Sequence, residues 1–284
     1  MSTLILPKKE RTTDKNVVDF PVDFIPLQLN SEYLIEHHIH SDLKGDRGKV
    51  AVRLDTNEII AVVTQEYGFI KHIQMVNNLE RTLHQAGIPF EIFDVNMSGK
   101  CGNRVYINYV IPSYSFTIEE DSYVPFIHLY SSYDHDMAHG MFTGFYRHEC
   151  ENACIMTKGL TLLKKRHRQK YFKVDEEDML DIGHWITNVH NARRSLSSLL
   201  NKPFDALDVT RALDKIFVRK KYGKHFLENG ILKKAIKKFG DNQYALFNAL
   251  TEYATHFIVR DDRIRSYDVS RKSQIAISKL FLSV

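Results

Sequence analysis

The chain has 284 residues, of which 43% are hydrophobic and 26% charged, with a net charge of +4. This balance suits one large domain or two smaller ones with a sizeable core, and it excludes a disordered or fibrous chain. No apolar run reaches the roughly 18 residues of a membrane helix, the first residues lack the order of a secretory leader, and the three cysteines (Cys101, Cys150, Cys154) are too few for a disulfide framework, so a reducing cytoplasm is the expected setting.

Residues 1–47 read as an irregular arm rich in Lys, Thr, Asp and Pro. Strand signals follow. VAVRL (50–54) and IIAVVT (59–64) flank the turn-rich residues Asp55 to Glu58 and predict a hairpin. Ile70, Ile73, Val76, Leu79, Leu83 and Ala86 recur at spacings of three and four, which predicts a helix stopped at Gly87. PFEIFDV (89–95) and RVYINYVI (104–111) flank a second turn, and YSFTI, VPFIHLYS and MFTGFYRH supply three more strands up to residue 148.

From about residue 150 the period becomes helical. Met179, Ile182, Ile186, Val189 and Leu196 share a face after the acidic start at 175–178, where the helix dipole favours acids. Further helices are predicted near 205–219, 226–239 and 241–258. The expected class is α+β: an antiparallel, β-rich N-terminal half with one crossing helix, then an all-helical C-terminal half. The expected divisions are an arm at 1–47, a β-rich domain at 48–173 and a helical region at 174–284.

Charge is unevenly spread. Lys158 to Lys173 holds seven Lys/Arg and no acid, and a second basic region spans Arg219 to Lys238. Such clusters suit a polyanionic partner, although most charge runs are merely solvated faces. Six tyrosines of the β-rich half (Tyr106, Tyr109, Tyr114, Tyr123, Tyr130, Tyr133) could stack unpaired bases if exposed, or pack a sheet if not.

The stretch 131–156 gathers His135, Asp136, His139, His148, Glu149, Cys150, Glu151 and Cys154. Zinc needs three or four ligands at one point. His135 and His139 fall between predicted strands, and no second pair follows Cys150 and Cys154 at finger spacing, so a polar loop and strand end is the reading preferred to a metal centre. His38 and His40 form a His-x-His pair, better read as part of the arm. No phosphate-binding glycine loop and no nucleophile elbow occurs. No cofactor is expected.

Three segments resemble one family. IHLYSSYDHDMAHGMFTGFYRHECENACI is similar to the signature of the phage- and plasmid-borne domain-of-unknown-function family 932, with Ser131, Ser132, Tyr133 and Asp134 at its turn and Gly144, Phe145, Arg147, Cys150 and Asn152 after it. VRLDTNEIIAVVTQEYGFI resembles the family's hairpin, and YALFNALTEYATH its downstream helix. The resemblance covers about 48–258. It departs at Tyr133, where the family has His, and at Ala153, where it has Gly, so a catalytic role for that His would be absent here. Cys150 then reads as a packed thiol. The strand–helix–strand order is similar, at the level of fold, to single-strand annealing recombinases.

These readings lead to a DNA-binding accessory protein of a phage or plasmid, with single-strand annealing as one form of that role. It is expected not to be an enzyme. Single-stranded DNA would be held by Arg147, Lys158, Lys164, Lys165, Arg166, Arg168 and Lys170 through phosphate contacts. A homo-oligomer is expected, with the apolar tail 273–284 and the arm as docking pieces. A metal-dependent nuclease or phosphoesterase and a non-enzymatic host-interaction protein are the alternatives.

Overall fold

The computed structural model describes residues 12–26, 48–68, 70–98, 100–134, 137–147, 152–155, 161–165, 181–217, 220–258 and 263–282. A small antiparallel sheet has the order β1 (Val22–Pro26), β2 (Gly48–Arg53), β3 (Glu58–Thr64). The β2–β3 hairpin turns where expected, with Asn57 at φ 56°. β1 was not expected. Residues 12–26 belong to the body rather than to a loose arm: Val18 enters the main core, and Phe20 and Val22 pack with Ala51, Ile60 and Tyr133. The alternation Val18, Phe20, Val22 is a period-2 signal, too short and too interrupted by Asp19 and Pro21 to be seen in the sequence.

The predicted helix forms α1 (His72–Gln85). Met75, Val76, Leu79 and Leu83 are fully buried, and Gly87, at φ 66°, supplies the left-handed turn that ends it. A seven-stranded antiparallel sheet follows. Its strands are β4 (Glu91–Ser98), β5 (Arg104–Val110), β6 (Phe116–Ile118), β7 (Asp121–Ser132), β8 (His139–Arg147), β9 (Asn152–Ile155) and β10 (Thr161–Lys165). The order is β10-β8-β7-β5-β4, with β6 added on β7 and β9 on β8.

β7 is buried on both faces. Ile127 and Leu129 join the main core with α1, while Val124, Phe126 and Tyr130 pack with Val110 and Phe142 on the other side. This is why its sequence is a continuous apolar run and not an alternation.

β9 and β10 correct the expectation of helix from residue 150. Helical structure is described from α2 (Ile182–Leu199), whose N-cap Asp181 accepts from the His184 amide. α3 (Ala206–Ile216) starts with a capping box of Asp205 and Asp208. The single helix expected over 226–239 is two, α4 (Lys220–Glu228) and α5 (Ile231–Phe239), divided at Gly230 with φ 78°. α6 (Gln243–His256) is buried on nearly every side, and α7 (Arg263–Phe281) follows. Trp185, Leu196, Phe226, Leu250 and Ile277 share the main core with the sheet, so both halves stand on one hydrophobic centre. The apolar tail folds back on its own chain: Ile277, Phe281 and Leu282 are buried.

Candidate functional site

The seven candidate DNA contacts divide three ways. Lys158, Arg166, Arg168 and Lys170 lie outside the described residues. Lys164 and Lys165 fall on β10, opposite Gly140 and His139 of β8. Among the described residues β10 has β8 as its single partner, so this piece of the basic run forms a border of the sheet.

Arg147 is elsewhere and inside. At the other end of β8 its Nη2 donates to Asp121 Oδ1 at 3.1 Å, and its Nε lies 2.9 Å from Oδ2. Its side chain is 7% exposed and that of Asp121 0%. The expectation of a phosphate contact from Arg147 is therefore corrected: the guanidinium serves an internal carboxylate.

Five more groups complete this cluster. Lys238 Nζ of α5 donates to Asp121 Oδ1 at 3.0 Å, and Tyr244 OH of α6 donates to Oδ2 at 3.2 Å. Tyr123 and Tyr244 share a hydrogen bond of 2.7 Å, and Tyr123 OH donates to Asn248 Oδ1 at 3.3 Å. The Arg147 guanidinium sits 5.2 Å from the Phe239 ring centre. Burial pushes both tyrosine hydroxyls well above their ordinary range. The arrangement joins β7, β8, α5 and α6, and a carboxylate so enclosed binds its neighbours and nothing from solution.

The signature turn Ser131–Asp134 occupies the other end of β8, also buried. Ser131 Oγ stands between His72 Nδ1, at 2.9 Å, and His139 Nδ1. The Tyr133 ring stacks on His72 with centroids 3.8 Å apart, and its hydroxyl accepts from the His72 amide at 2.9 Å. Burial raises the Tyr133 pKa as well. Ser132 Oγ donates to Met137 O at 2.9 Å. Asp134 Oδ2 accepts from Asn103 Nδ2 and Arg104 Nε, each at 2.7 Å. Each residue of the turn thus holds a neighbouring element: α1, the loop before β8, or the start of β5.

The metal reading is not supported by geometry in the described residues. His139 is fully buried against Ser131, and no group of three or more His, Cys, Asp or Glu is placed to hold an ion among the described residues. His135, Asp136, His148, Glu149, Cys150 and Glu151 lie outside them, as do His38 and His40; for Cys154 the backbone alone, on β9, is described.

The tyrosines pack. Tyr109, Tyr123, Tyr130 and Tyr133 are buried, and Tyr106 and Tyr114 half-buried. On the sheet face away from α1, Phe93, Tyr146, Phe126, Phe142, His128 and Tyr106 form one run of rings; Phe126 and Tyr146 are 4.5 Å apart and His128 and Phe142 4.4 Å. In the second basic region Lys220, Lys221, Lys224, Lys233, Lys234 and Lys237 are exposed on α4 and α5.

A family model described as "Domain of unknown function (DUF932)" matches residues 59–276, most of the chain. No curated protein and no solved structure matches it.

Proposed function

We propose, for a chain that belongs to the DUF932 family, a nucleic-acid-binding role in which single-stranded DNA is held along the sheet border formed by β10. The observation that carries the reading is the position of Lys164 and Lys165 on that strand, within a run of seven Lys/Arg and no acid. Lysine and arginine neutralise phosphates whatever the base, so affinity comes without sequence preference. No bond chemistry is needed, and both buried polar clusters are occupied with internal contacts. An accessory protein of a phage or plasmid, acting in replication or recombination by annealing, is the form of this role that the family resemblance suggests.

Labelled single strands test it. Changing Lys164, Lys165, Arg166 and Arg168 together to Ala should weaken binding and flatten the dependence of log K on log[salt] by about 0.7 per lost contact. Unchanged binding in that variant removes the run from the site. Annealing adds a demand for assembly on one strand. A chain that light scattering finds monomeric with and without DNA would leave plain binding as the role.

A further inference from the structure

The fold arranges the second basic region in a way the strand border does not use. α5 has four lysines in nine residues and no acid. Its apolar side is consumed by the core: Ile231 and Ala235 are buried, and Leu232, Ile236 and Phe239 pack against them. Lys238 is drawn to buried Asp121, which fixes the rotation of the helix about its axis. Lys233, Lys234 and Lys237 are thereby left facing solvent, with Lys233 and Lys237 stacked about 6 Å apart along the axis.

α4 directly precedes this helix. Only Asn229 and Gly230 separate the two helices, and Asn229 Oδ1 accepts from the Ile231 amide at 2.9 Å, closing the corner. α4 adds exposed Lys220, Lys221 and Lys224. Two acids oppose the six lysines: Glu228 lies 3.8 Å from Lys224 and Glu252 3.5 Å from Lys234, with the lysines 78% and 77% exposed. The Lys224–Glu228 pair, with Glu228 60% exposed, binds weakly and yields readily to a stronger anion, whereas Glu252 is 18% exposed and holds Lys234 more firmly.

We propose that the α4–α5 hairpin is a second nucleic-acid surface, one that grips the phosphate backbone of duplex DNA by charge without reading bases. The proposal rests on the nucleic-acid reading above but assigns a different form of DNA to a different surface. Lysine is a point charge without the planar fork that reads a base edge. Neither helix fully exposes a Phe, Tyr or Trp ring as a platform for open bases: Tyr222 and Phe239 are half-buried and Phe226 buried, which leaves the His225 imidazole as the one exposed ring. What remains is charge density, and a duplex offers one charge per about 1.7 Å of its axis. A membrane-seated helix would keep its apolar side outward, whereas α5 spends its own on the core, and Leu227 is the one large apolar side chain exposed on the pair.

The two surfaces lie toward opposite ends of β8. Lys164 and Lys165 pair with Gly140 and His139, whereas Lys238 meets Asp121 beside Arg147. Seven or eight residues of strand, about 25 Å, separate these two ends of β8.

The test uses the full chain with a labelled duplex, its single strand and anionic vesicles, at two salt concentrations. K233A/K234A/K237A should lower duplex affinity roughly tenfold or more and flatten the salt slope by about 2–3, at about 0.9 per lost contact. Alanine is the best helix former, so α5 persists, which circular dichroism checks. K233R/K234R/K237R should keep duplex binding. Five results overturn the proposal. Unchanged duplex binding in the folded alanine variant does so, as does loss of duplex binding in the β10 variant alone. A wild-type chain that binds single strands but no duplex leaves the strand-border reading intact and ends this one. Loss of vesicle binding with DNA binding kept would make the surface a membrane one. If the wild-type chain binds neither form of DNA, both readings fall together.

Discussion

β8 ends in two buried polar clusters of opposite character. At the His139 end, Ser131 shares hydrogen bonds with His72 and His139 beside the Tyr133 ring, and no carboxylate takes part in them. At the Arg147 end, one carboxylate, Asp121, meets a guanidinium, an ammonium and a tyrosine hydroxyl. The first cluster ties α1 to the sheet, and the second ties α5 and α6 to it. Neutral groups are costly to bury only when unbonded, whereas ions are costly to bury at all. The charged cluster is thus the more brittle joint, although both consist of residue types that a sequence search would mark for chemistry.

Asp121→Asn breaks the comparison most severely. It leaves Arg147 and Lys238 beside a neutral amide in a site 0% exposed at the carboxylate. Removing one partner of a buried ion pair costs about 3–5 kcal/mol. Urea unfolding should show that loss with a lowered midpoint. A variant within about 1 kcal/mol of wild type would mean that solvent reaches the cluster and that its charges are not desolvated.

The His139 end should break more gently. Ser131→Ala removes the hydroxyl shared by His72 and His139, and unbonded buried polar groups cost about 1–3 kcal/mol. The same urea measurement decides, and a loss larger than that of Asp121→Asn would reverse the ranking of the two joints.

Alkaline pH sharpens the difference further. Tyr123 and Tyr244 belong to the Asp121 end and Tyr133 to the His139 end, and burial raises all three hydroxyls. A tyrosine whose folded pKa is raised keeps its proton in the native state while the unfolded chain loses it near the ordinary value of 10.0. The unfolded state then binds fewer protons, so stability is fully present below pH 10 and falls above it, by about 1.4 kcal/mol per pH unit for each such group. Tyr123→Phe should flatten that fall by about one proton's worth, read from unfolding free energies across the alkaline range. An unaltered slope would show that Tyr123 ionises while folded.

Much of the fold was legible because its signals are local. The β2–β3 hairpin, α1, the β4–β5 pair and α6 each declare a period and a turn within a few residues. α7 was missed because its core side is partly polar. Ser273, Gln274 and Ser278 are buried, and Ser270 Oγ donates to the Ala254 carbonyl at 2.6 Å, so hydropathy carries no helical stripe there. β10 was hidden by its lysines, which read as a charge run. Arg147 was misjudged for a different reason. Its counter-ion lies 26 positions away, and the Lys238 that shares that ion lies 117 from it, separations no local pattern can report. The exposed lysines of α4 and α5 were visible as a basic region; which of them the core would claim was not.

The smallest stability effect belongs to the surface counterpart of the Asp121 cluster, the Lys224–Glu228 pair. The chemistry is again ammonium and carboxylate, at 3.8 Å, but the side chains are 78% and 60% exposed. Lysine also precedes glutamate in this i,i+4 pair, the weaker of the two orders. Glu228→Gln should therefore alter unfolding free energy by no more than about 0.5 kcal/mol. Its effect on binding should be opposite in sign to that of the lysine variants. The substitution deletes the one acid of α4 and frees Lys224 for phosphate, so duplex affinity should rise by a small factor at low salt, with the gain fading as salt screens it. Anisotropy on the same labelled duplex reads this directly. A carboxylate whose removal weakens duplex binding would place Glu228 in a positioning role and move the contact surface toward α5 alone.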